Sequence, residues 1–381
     1  MSNKVYVLGT GLRRFGRFPN LSHKEFAWPV VREALLESGL PRDAIDIAYA
    51  SSVFGGSLIG QQILGQVGLT GIPVINVENA CSSSATAVHE AAARIRAGQS
   101  EAAIVVGVDM LSKLGGGALP LNDEDWEATQ GMNMPTLYAM RAQRYMHEHG
   151  IAARDLSEVS VKARKHGALN PLAQFQTPLT LEEVEASREI SHPLRLLHCC
   201  PTGDGAAAVV LGSQRFLHRS AYKTAVEIKA TALHSGRFNL GPLPMTRSHV
   251  SSLSAKEVYE AASIGPQDID VAELHDSFAI AELMYYEAFQ FCEPGGALEL
   301  LRSGVTSLGG KQVVNPSGGL LSRGHPVAAS GAAQIVEITR QLQGRAGPHQ
   351  VQGARTGLAH VTGGGISGFE HGACAVTVLQ R

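Results

Sequence analysis

The stretch VENACSSSATAVHEAA, residues 77–92, joins a short apolar run to a segment of small, helix-forming residues. This pattern predicts a strand that ends at about Glu78 and a helix that begins at about Ser82. Cys81 then lies directly before the helix, where unpaired N–H groups and the helix dipole favour a thiolate. A buried structural cysteine is the commoner case, so this stretch alone does not decide between catalysis and packing.

A second stretch, NPSGGLLSRGHPVAASG at residues 315–331, has the same plan of strand, small-residue turn and helix. His325 lies near the start of its helix, at the place that Cys81 takes in the first stretch. A neutral imidazole can accept a thiol proton near pH 7. Two helix starts that face each other would bring Cys81 and His325 together. The alternative is a loop histidine without a role.

Strand and helix signals alternate on both sides of these stretches, as in parallel βαβ units. The predicted strands are residues 4–11, 45–52, 73–78, 102–109 and 204–211 in the first part, and 226–233, 311–316 and 356–365 in the last, with a further strand in the segment 266–277 that ends before His275. The predicted helices are residues 25–38, with Pro29 in the first turn, 82–97, 255–262 and 328–342. PRDAIDIAYASS (41–52) is similar to PQDIDVAELHDS (266–277). We therefore predict an internal duplication of about half the chain; two unrelated α/β domains are the alternative.

Residues 112–200 differ from both halves and are predicted to form an inserted loop domain. They contain a glycine-rich turn (115–117), an acidic stretch (123–127) and amphipathic helices at 137–149 and 157–168. The predicted boundaries are residues 1–111 with 201–222 for the N-terminal half, 112–200 for the loop domain and 223–381 for the C-terminal half.

Composition limits the classes of protein and partner. The chain has 381 residues, of which 44% are hydrophobic and 17% charged, and its net charge is -2. No block of like charge predicts a nucleic acid or an anionic membrane as partner, and no apolar run approaches the roughly 20 residues that span a bilayer. The five cysteines are an odd number in a large chain, which favours a reducing cytoplasm over a disulfide framework.

Two further stretches complete the candidate site. HDSFAIAE (275–282) follows a predicted strand, and HVTGGGISG (360–368) ends another strand in glycines. Glycine backbone N–H groups can form an oxyanion hole for a thioester carbonyl. Cys199, Cys200, Cys292 and Cys374 are expected to be packed, since none has metal-ligand spacing.

In this order and spacing, the four stretches resemble the thiolase family over nearly the whole chain. The resemblance implies an α/β thiolase fold, with two duplicated βαβαβαββ halves in a five-layered αβαβα sandwich and an inserted loop domain. LLHCCPTGDGAAAVVL (196–211), HDSFAIAE and YEAFQFCEPGG (286–296) look most like the sterol-carrier-protein and archaeal-type branch. Thiolases acting on bulky or branched acyl groups, benzoylsuccinyl-CoA thiolases among them, are expected relatives.

The resemblance also implies roles. Cys81 would take the acyl group as a thioester, and His325 would activate it. His325 and His275 would line the oxyanion hole for the enolate of the second acyl-CoA. The Cys81 N–H and an N–H of residues 363–365, with Gly364 at the centre, would hold the other thioester oxygen.

Two more residues receive roles in the same way. Met134, in GMNMPTLYAM (131–140), is similar to the methionine that covers the pocket, and Asn315 would support His325 or an ordered water.

One departure from the family is the missing second reactive cysteine, which moves the α-proton. This chain has Val361-Thr362 at one of the family's two places for it and Ser277 at the other. A serine hydroxyl does not ionise near neutral pH without assistance. The proton would then move through His360, His325 or a water, or the reaction differs. A Cys-His-His trio is also similar to the site of ketoacyl synthases, which decarboxylate a malonyl group instead.

The predicted function is an acyl-CoA C-acyltransferase that performs thiolytic cleavage of a 3-oxoacyl-CoA or the reverse Claisen condensation. The alternatives are a thiolase-like aldolase, which tends to lack the cysteine, and a non-catalytic subunit of a hetero-complex. We expect CoA and acyl-CoA as substrates, no metal and no other cofactor. We also expect a cytoplasmic homodimer or larger oligomer, with a small zinc-ribbon and OB-fold protein as a further partner.

Overall fold

The computed structural model describes residues 3–115, 117, 119–120, 124, 126–237, 243–365 and 370–381. Parts of the predicted glycine-rich turn and acidic stretch, and the end of the 360–368 segment, lie outside these residues. Among the helices described, none combines the length and apolarity that crossing a membrane requires.

The described residues form twelve strands and twelve α-helices. The strands are β1 (Val5–Leu12), β2 (Ile47–Ser51), β3 (Val74–Val77), β4 (Ala102–Met110), β5 (Glu189–Ser191), β6 (Leu194–Arg195), β7 (Asp204–Ser213), β8 (Val226–His234), β9 (Val271–Glu273), β10 (Val313–Val314), β11 (Thr356–Gly363) and β12 (Ala373–Gln380). The helices are α1 (His23–Ser38), α2 (Ile59–Gly65), α3 (Ser83–Arg96), α4 (Trp126–Thr129), α5 (Met134–His149), α6 (Ala153–Gly167), α7 (Leu181–Glu185), α8 (His249–Ala262), α9 (Ala279–Ala288), α10 (Ala297–Arg302), α11 (Gly319–Ser322) and α12 (Ser330–Leu342).

The strand order shows the internal duplication. Ten strands are hydrogen-bonded in the order β10-β9-β11-β12-β8-β1-β7-β4-β2-β3. Within each half the five strands follow the order third, second, fourth, fifth, first. The first three strands in this order are parallel, and the remaining pairs are antiparallel, in both halves. Two unrelated α/β domains would not share both order and direction, so the chain is a repeat of one α/β unit.

Alternating side chains place helices on both faces of each half-sheet. On β1, Val5 and Val7 pack in one core cluster with α3 and α12, whereas Tyr6 and Leu8 pack in another with α1. On β11, successive residues likewise alternate between the α3–α12 cluster and one containing α8 and α9. Because strand side chains have a period of two, this pattern gives the five layers of an αβαβα sandwich.

The starts of α3 and α12 touch at the centre of the molecule. The Ala332 N–H donates to Ser84 Oγ at 2.8 Å. A Cβ at Gly331 would lie only 2.6 Å from Ala85 N. Only glycine permits this approach, and it aligns the two helix starts that the sequence predicts to carry chemistry.

Helix α1 begins earlier than predicted. Ser22 and Glu25 form a capping box, with the Ser22 N–H donating to Glu25 Oε2 at 2.9 Å, and the helix therefore starts at His23. Pro29 lies in the second turn, so its predicted place in the first turn is wrong. Buried neighbours such as Phe26 and Val30 stabilise the helix despite the lost backbone hydrogen bond.

The region between β4 and β7 covers the C-terminal half. It contains α4 to α7 and the β5–β6 hairpin, and its helices α5 and α6 pack on α9 and α11. The domain boundaries given above stay a prediction. This packing nevertheless places the start of α5 above the glycine segment that ends β11.

Candidate active site

The turn before α3 fixes the position of Cys81. Ala80 has a left-handed φ of 49°, a conformation that non-glycine residues seldom adopt. Backbone hydrogen bonds from Ser82 N to Asn79 O and from Ser83 N to Ala80 O close the turn at 3.0 and 3.2 Å. The half-buried Cys81 side chain therefore projects from the backbone immediately before the first turn of the helix.

His325 contacts this thiol from the C-terminal half. Its Nε2 lies 3.2 Å from Cys81 Sγ, and its Nδ1 lies 2.8 Å from Ser330 Oγ. Burial, together with the nearby Arg323 charge, lowers the pKa of His325 to about 3. A neutral ring that donates from Nδ1 to Ser330 leaves Nε2 free to accept the thiol proton.

The resting state of Cys81 differs from the thiolate expected from its helix start. Burial raises the pKa of the Cys81 thiol to about 12, although the Gly364 N–H lowers it. Desolvation disfavours the charged form more than the few aligned N–H groups favour it. The site therefore holds the thiol and the imidazole as a neutral pair.

His275 completes a compact cluster. Its ring lies edge-on to His325 at 5.0 Å between centroids, and one ligand atom each from Cys81, His275 and His325 lie within 4.8 Å of one another. Burial lowers the pKa of His275, so the ring is neutral, and its Nδ1 has no partner among the described residues. The cluster has the ligand types of zinc, so the expectation of no metal stays a prediction.

The glycines that end β11 lie against the Cys81 turn. A Cβ at Gly363 would meet Asn79 O at 2.1 Å, and a Cβ at Gly365 would meet the Met134 methyl at 2.7 Å. Gly364 has a left-handed φ of 63° and directs its N–H to the Cys81 thiol. The expected oxyanion donor and covering methionine therefore lie on the two sides of one glycine segment.

Asn315 is completely buried but does not contact His325 among the described residues. Its Oδ1 accepts from Leu274 N and its Nδ2 donates to Glu282, both at 2.8 Å. Its left-handed φ of 54° turns the chain after β10. The side chain thus orients the backbone just before His275, and its support of His325 or an ordered water stays a prediction.

Ser277 lies opposite a cysteine, just before α9. Cys199 and Phe278 form an antiparallel bridge, and Cys200 N donates to Ser277 O at 2.9 Å. Cys200 is thus directly across from Ser277, and opposed residues project to the same face. Burial raises the pKa of Cys200 well above its ordinary value, and the charges of Cys199 and Cys81 raise it further. A second thiol therefore lies near Cys81.

His360 is directed away from the thiol. The side chain of its neighbour Val361 packs with Ala85 and Cys81, so His360 projects to the opposite face of β11. There its ring lies between Tyr285 and Phe289, with Nε2 3.0 Å from Ser251 Oγ. Burial lowers its pKa to about 3. Within the part of the chain that the structure describes, its hydrogen bond to the site is from His275 N to its Nδ1 at 3.5 Å.

The sequence did not indicate the hydrogen-bonded polar side chains behind the glycine segment. His371 Nδ1 donates to Gly364 O at 2.8 Å, and Tyr138 Oη lies 3.0 Å from His371 Nε2. The Tyr138 phenol is also within hydrogen-bonding reach of Ser277. The helical spacing of Met134, Tyr138 and Arg141 would have shown that these residues share one face of α5.

Two family models match the chain. The thiolase N-terminal domain model matches residues 5–215, and the thiolase C-terminal domain-like model matches residues 243–375. A solved structure described as the Ltp2–ChsH2(DUF35) aldolase superposes with a TM-score of 0.86 at 25% identity, covering 99% of this chain and 98% of that one.

Curated proteins agree over almost the full length. Benzoylsuccinyl-CoA thiolase subunit BbsB of Thauera aromatica is 38% identical, covering 96% of both chains. The acetyl-CoA acetyltransferase of Methanothermobacter thermautotrophicus is 35% identical and covers 99% of both. Human sterol carrier protein 2 is 35% identical over 99% of this chain and 72% of its own. The chain is an acyltransferase-type enzyme and belongs to the thiolase family.

Proposed function

We propose that this chain transfers acyl groups between CoA thioesters through a covalent thioester on Cys81. The observation that carries the proposal is the 3.2 Å contact between Cys81 Sγ and His325 Nε2. A nucleophile within hydrogen-bonding distance of a neutral base, which is itself oriented by Ser330, is the arrangement that covalent acyl transfer needs.

In the thiolytic direction, Cys81 Sγ attacks the C3 carbonyl of a 3-oxoacyl-CoA while His325 takes the thiol proton. The C2–C3 bond then breaks, its electron pair forms the enolate of the shorter acyl-CoA, and the acyl group stays on Cys81. The Gly364 N–H and the imidazole of His275 are placed to stabilise the negative oxygens that develop.

The enolate needs a proton, and Cys200 is our candidate for its source. The Cys200 thiol has a raised pKa. It lies across from Ser277, and Ser277 occupies the family's place for the missing cysteine. After donating, the Cys200 thiolate takes a proton from incoming CoA. The CoA thiolate attacks the acyl group, and Cys81 regains its proton from His325. The condensation reverses these steps.

The relatives support this proposal, and their names give different CoA thioesters, benzoylsuccinyl-CoA and acetyl-CoA. Two of them are named for thiolase or acetyltransferase activity. We propose CoA and acyl-CoA as the ligands, with no metal or further cofactor, and a cytoplasmic homodimer or larger oligomer. The aldolase neighbour is described with a DUF35 component, which supports a small partner protein for this chain as well.

A thiolase-like aldolase is the second candidate, since the solved neighbour is an aldolase. An aldolase breaks the corresponding C2–C3 bond of a 3-hydroxyacyl-CoA, releases a ketone or an aldehyde, and retains no acyl group on the enzyme. The Cys81–His325 pair would then have no covalent role, and for this reason we favour acyl transfer.

Intact-protein mass spectrometry, together with product analysis, distinguishes these candidates after mixing with a panel of acyl-CoAs, 3-oxoacyl-CoAs and 3-hydroxyacyl-CoAs. Acyl transfer predicts a mass increment equal to the acyl group, absent in Cys81→Ala. A Cys292→Ser variant, which changes a cysteine outside the site, is the matched control and should be acylated normally. Carbon–carbon cleavage without any acyl-enzyme would support the aldolase, and no reaction at all would support a non-catalytic subunit.

A further inference from the structure

Arg141 is a buried cation without an ionic partner. Its side chain on α5 is 1% exposed, and neither Nε nor Nη1 has a hydrogen-bond partner among the described residues. The other most deeply buried cations are paired: Lys162 Nζ lies 2.5 Å from Glu282, and Arg323 Nη1 lies 3.2 Å from Glu273. Burying a charge without a partner is unfavourable, so the unpaired guanidinium indicates a missing anion.

The position of Arg141 connects it to the reaction. Its Cζ lies 5.5 Å from the ring centroid of Tyr138, whose hydroxyl contacts His371. His371 in turn holds the carbonyl of Gly364 at 2.8 Å, and Gly364 faces Cys81. On the same helix face, Met134 lies two turns before Arg141, about 10 Å along the axis, and covers the glycines.

The neighbours of Arg141 do not supply the anion. The side chains that its charge acts on are Tyr138, Tyr285 and His371. Burial raises the pKa of both tyrosines and lowers the pKa of His371 to about 4, so all three are neutral at pH 7. The buried carboxylate of Glu370, next to His371, accepts from the N–H groups of Val250 and His371, and no carboxylate among the described residues forms an ion pair with Arg141. A ligand is therefore our candidate source of the negative charge.

We propose that Arg141 binds a carboxylate carried by the acyl chain of the substrate, so that the enzyme prefers dicarboxylic acyl-CoA thioesters. This inference rests on the proposed function and names its substrate class. A guanidinium binds a carboxylate through two parallel hydrogen bonds. The phosphates of CoA are the other anions of the substrate, but every acyl-CoA carries them, and they therefore give no preference between acyl chains.

The test compares the binding of adipyl-CoA and hexanoyl-CoA by titration calorimetry in a Cys81→Ala background. The two ligands have six-carbon chains that end in a carboxylate or a methyl group. We expect adipyl-CoA to bind at least about 10-fold more tightly, because a charge-assisted bidentate pair forms. Arg141→Met should remove this preference and leave hexanoyl-CoA affinity within about 3-fold. Arg141→Lys keeps the charge without the fork and should retain part of the preference.

Arg144→Met is the matched control. Arg144 lies one turn further along α5 on the exposed side and pairs with Glu148, so its loss should leave the adipyl preference intact. Equal affinity of the two ligands for the unsubstituted pocket, or equal weakening of both by Arg141→Met, would overturn the proposal. So would a fall in the melting temperature of unliganded Arg141→Met, which would show a structural role.

Catalysis is not needed for this experiment. Absence of an acyl-enzyme on Cys81 would therefore count against the proposed function and leave the Arg141 preference measurable.

Discussion

Two helix starts at the centre of the molecule occupy equivalent places in the two repeats but carry different chemistry. The left-handed Ala80 turns the chain after β3, and α3 begins at Ser83, two residues after Cys81. The left-handed Asn315 turns the chain after β10, but α12 begins only at Ser330, after the short α11 and a 3₁₀ turn.

The extra length in the second repeat has a functional consequence. It lets His325 reach across to the thiol, instead of projecting from its own helix end as Cys81 does. Duplication therefore supplied two facing helix starts, and the segment added before one of them carries the histidine that faces the cysteine of the other.

Removal of the nucleophile is the most severe test of this comparison. Cys81→Ala should lower the rate of acyl transfer by about 10⁴-fold or more, because no covalent intermediate can form. Stopped-flow assay of thioester exchange, with the mass of the intact chain as a second readout, measures the effect. Acylation of Cys81→Ala at the full rate would show that another residue is the nucleophile.

The two histidines should separate the steps of the reaction. His325→Asn removes the base and should prevent acylation of Cys81. His275→Asn should lower the carbon–carbon step by roughly 10²–10³-fold while acylation persists, as for loss of an oxyanion donor. Pre-steady-state acylation and steady-state turnover, measured on both variants, check the division. Identical defects in both steps would refute it.

The adjacent cysteines allow a matched test of the proton donor. Cys200→Ser should slow α-proton exchange of a bound acyl-CoA in deuterated water by about 10²-fold, the lower range for general acid–base catalysis. Cys199→Ser should have little effect, because Cys199 Sγ donates to Arg195 O and its side chain projects to the other face.

Two further variants separate this route from the sequence-based alternatives. Ser277→Ala should cost only modest activity, because the hydroxyl orients and does not titrate. If His360→Gln stops the exchange while Cys200→Ser does not, the histidine route predicted from the sequence is right.

Gly331 tests whether the close contact of the two helix starts matters. Gly331→Ala places a methyl group against Ala85 N and should destabilise the protein by about 1–3 kcal/mol, as overpacking does. It should also slow acylation by separating Cys81 from His325. Gly65→Ala is the control, since a Cβ there meets nothing within 4 Å. Denaturant unfolding and acylation rates measure both effects.

His325 and Cys81 should make the free energy of unfolding depend on pH in opposite directions. The pKa of His325 is about 3 in the folded protein and about 6.5 when unfolded. The unfolded chain binds more protons between these values, so stability falls as the pH is lowered through that window. The pKa of Cys81 is about 12 when folded and about 8.5 when unfolded. The unfolded chain releases its proton first, and stability falls as the pH rises from there.

Unfolding free energies of the His325→Asn and Cys81→Ala variants across pH 4–10 check these signs. Each variant should flatten only its own side of the profile, by up to about 1.4 kcal/mol per pH unit. The activity profile should lack the limb near pH 6–7 that an exposed imidazole would produce. A clear limb there would indicate that substrate binding exposes His325 to water.

The sequence by itself predicted the repeat and the two stretches that the structure brings together around Cys81 and His325. The strand–turn–helix pattern around Cys81 and around His325 can be predicted locally, because strand and helix periodicities and glycine turns depend on residues that are consecutive in the sequence. The similarity of residues 41–52 and 266–277 reflects strands at the same position in the two half-sheets. These features therefore needed no knowledge of contacts.

Only the tertiary structure decided which face each side chain occupies and what it meets there. His360 precedes the glycines in sequence, but the strand pleat turns it away from Cys81. Cys200 is 77 residues before Ser277 in the chain but lies across from it, and Arg141 is left unpaired by its packing. Protonation states were decided in the same way, because the desolvation that keeps Cys81 and His325 neutral depends on the surrounding layers and not on neighbours in sequence.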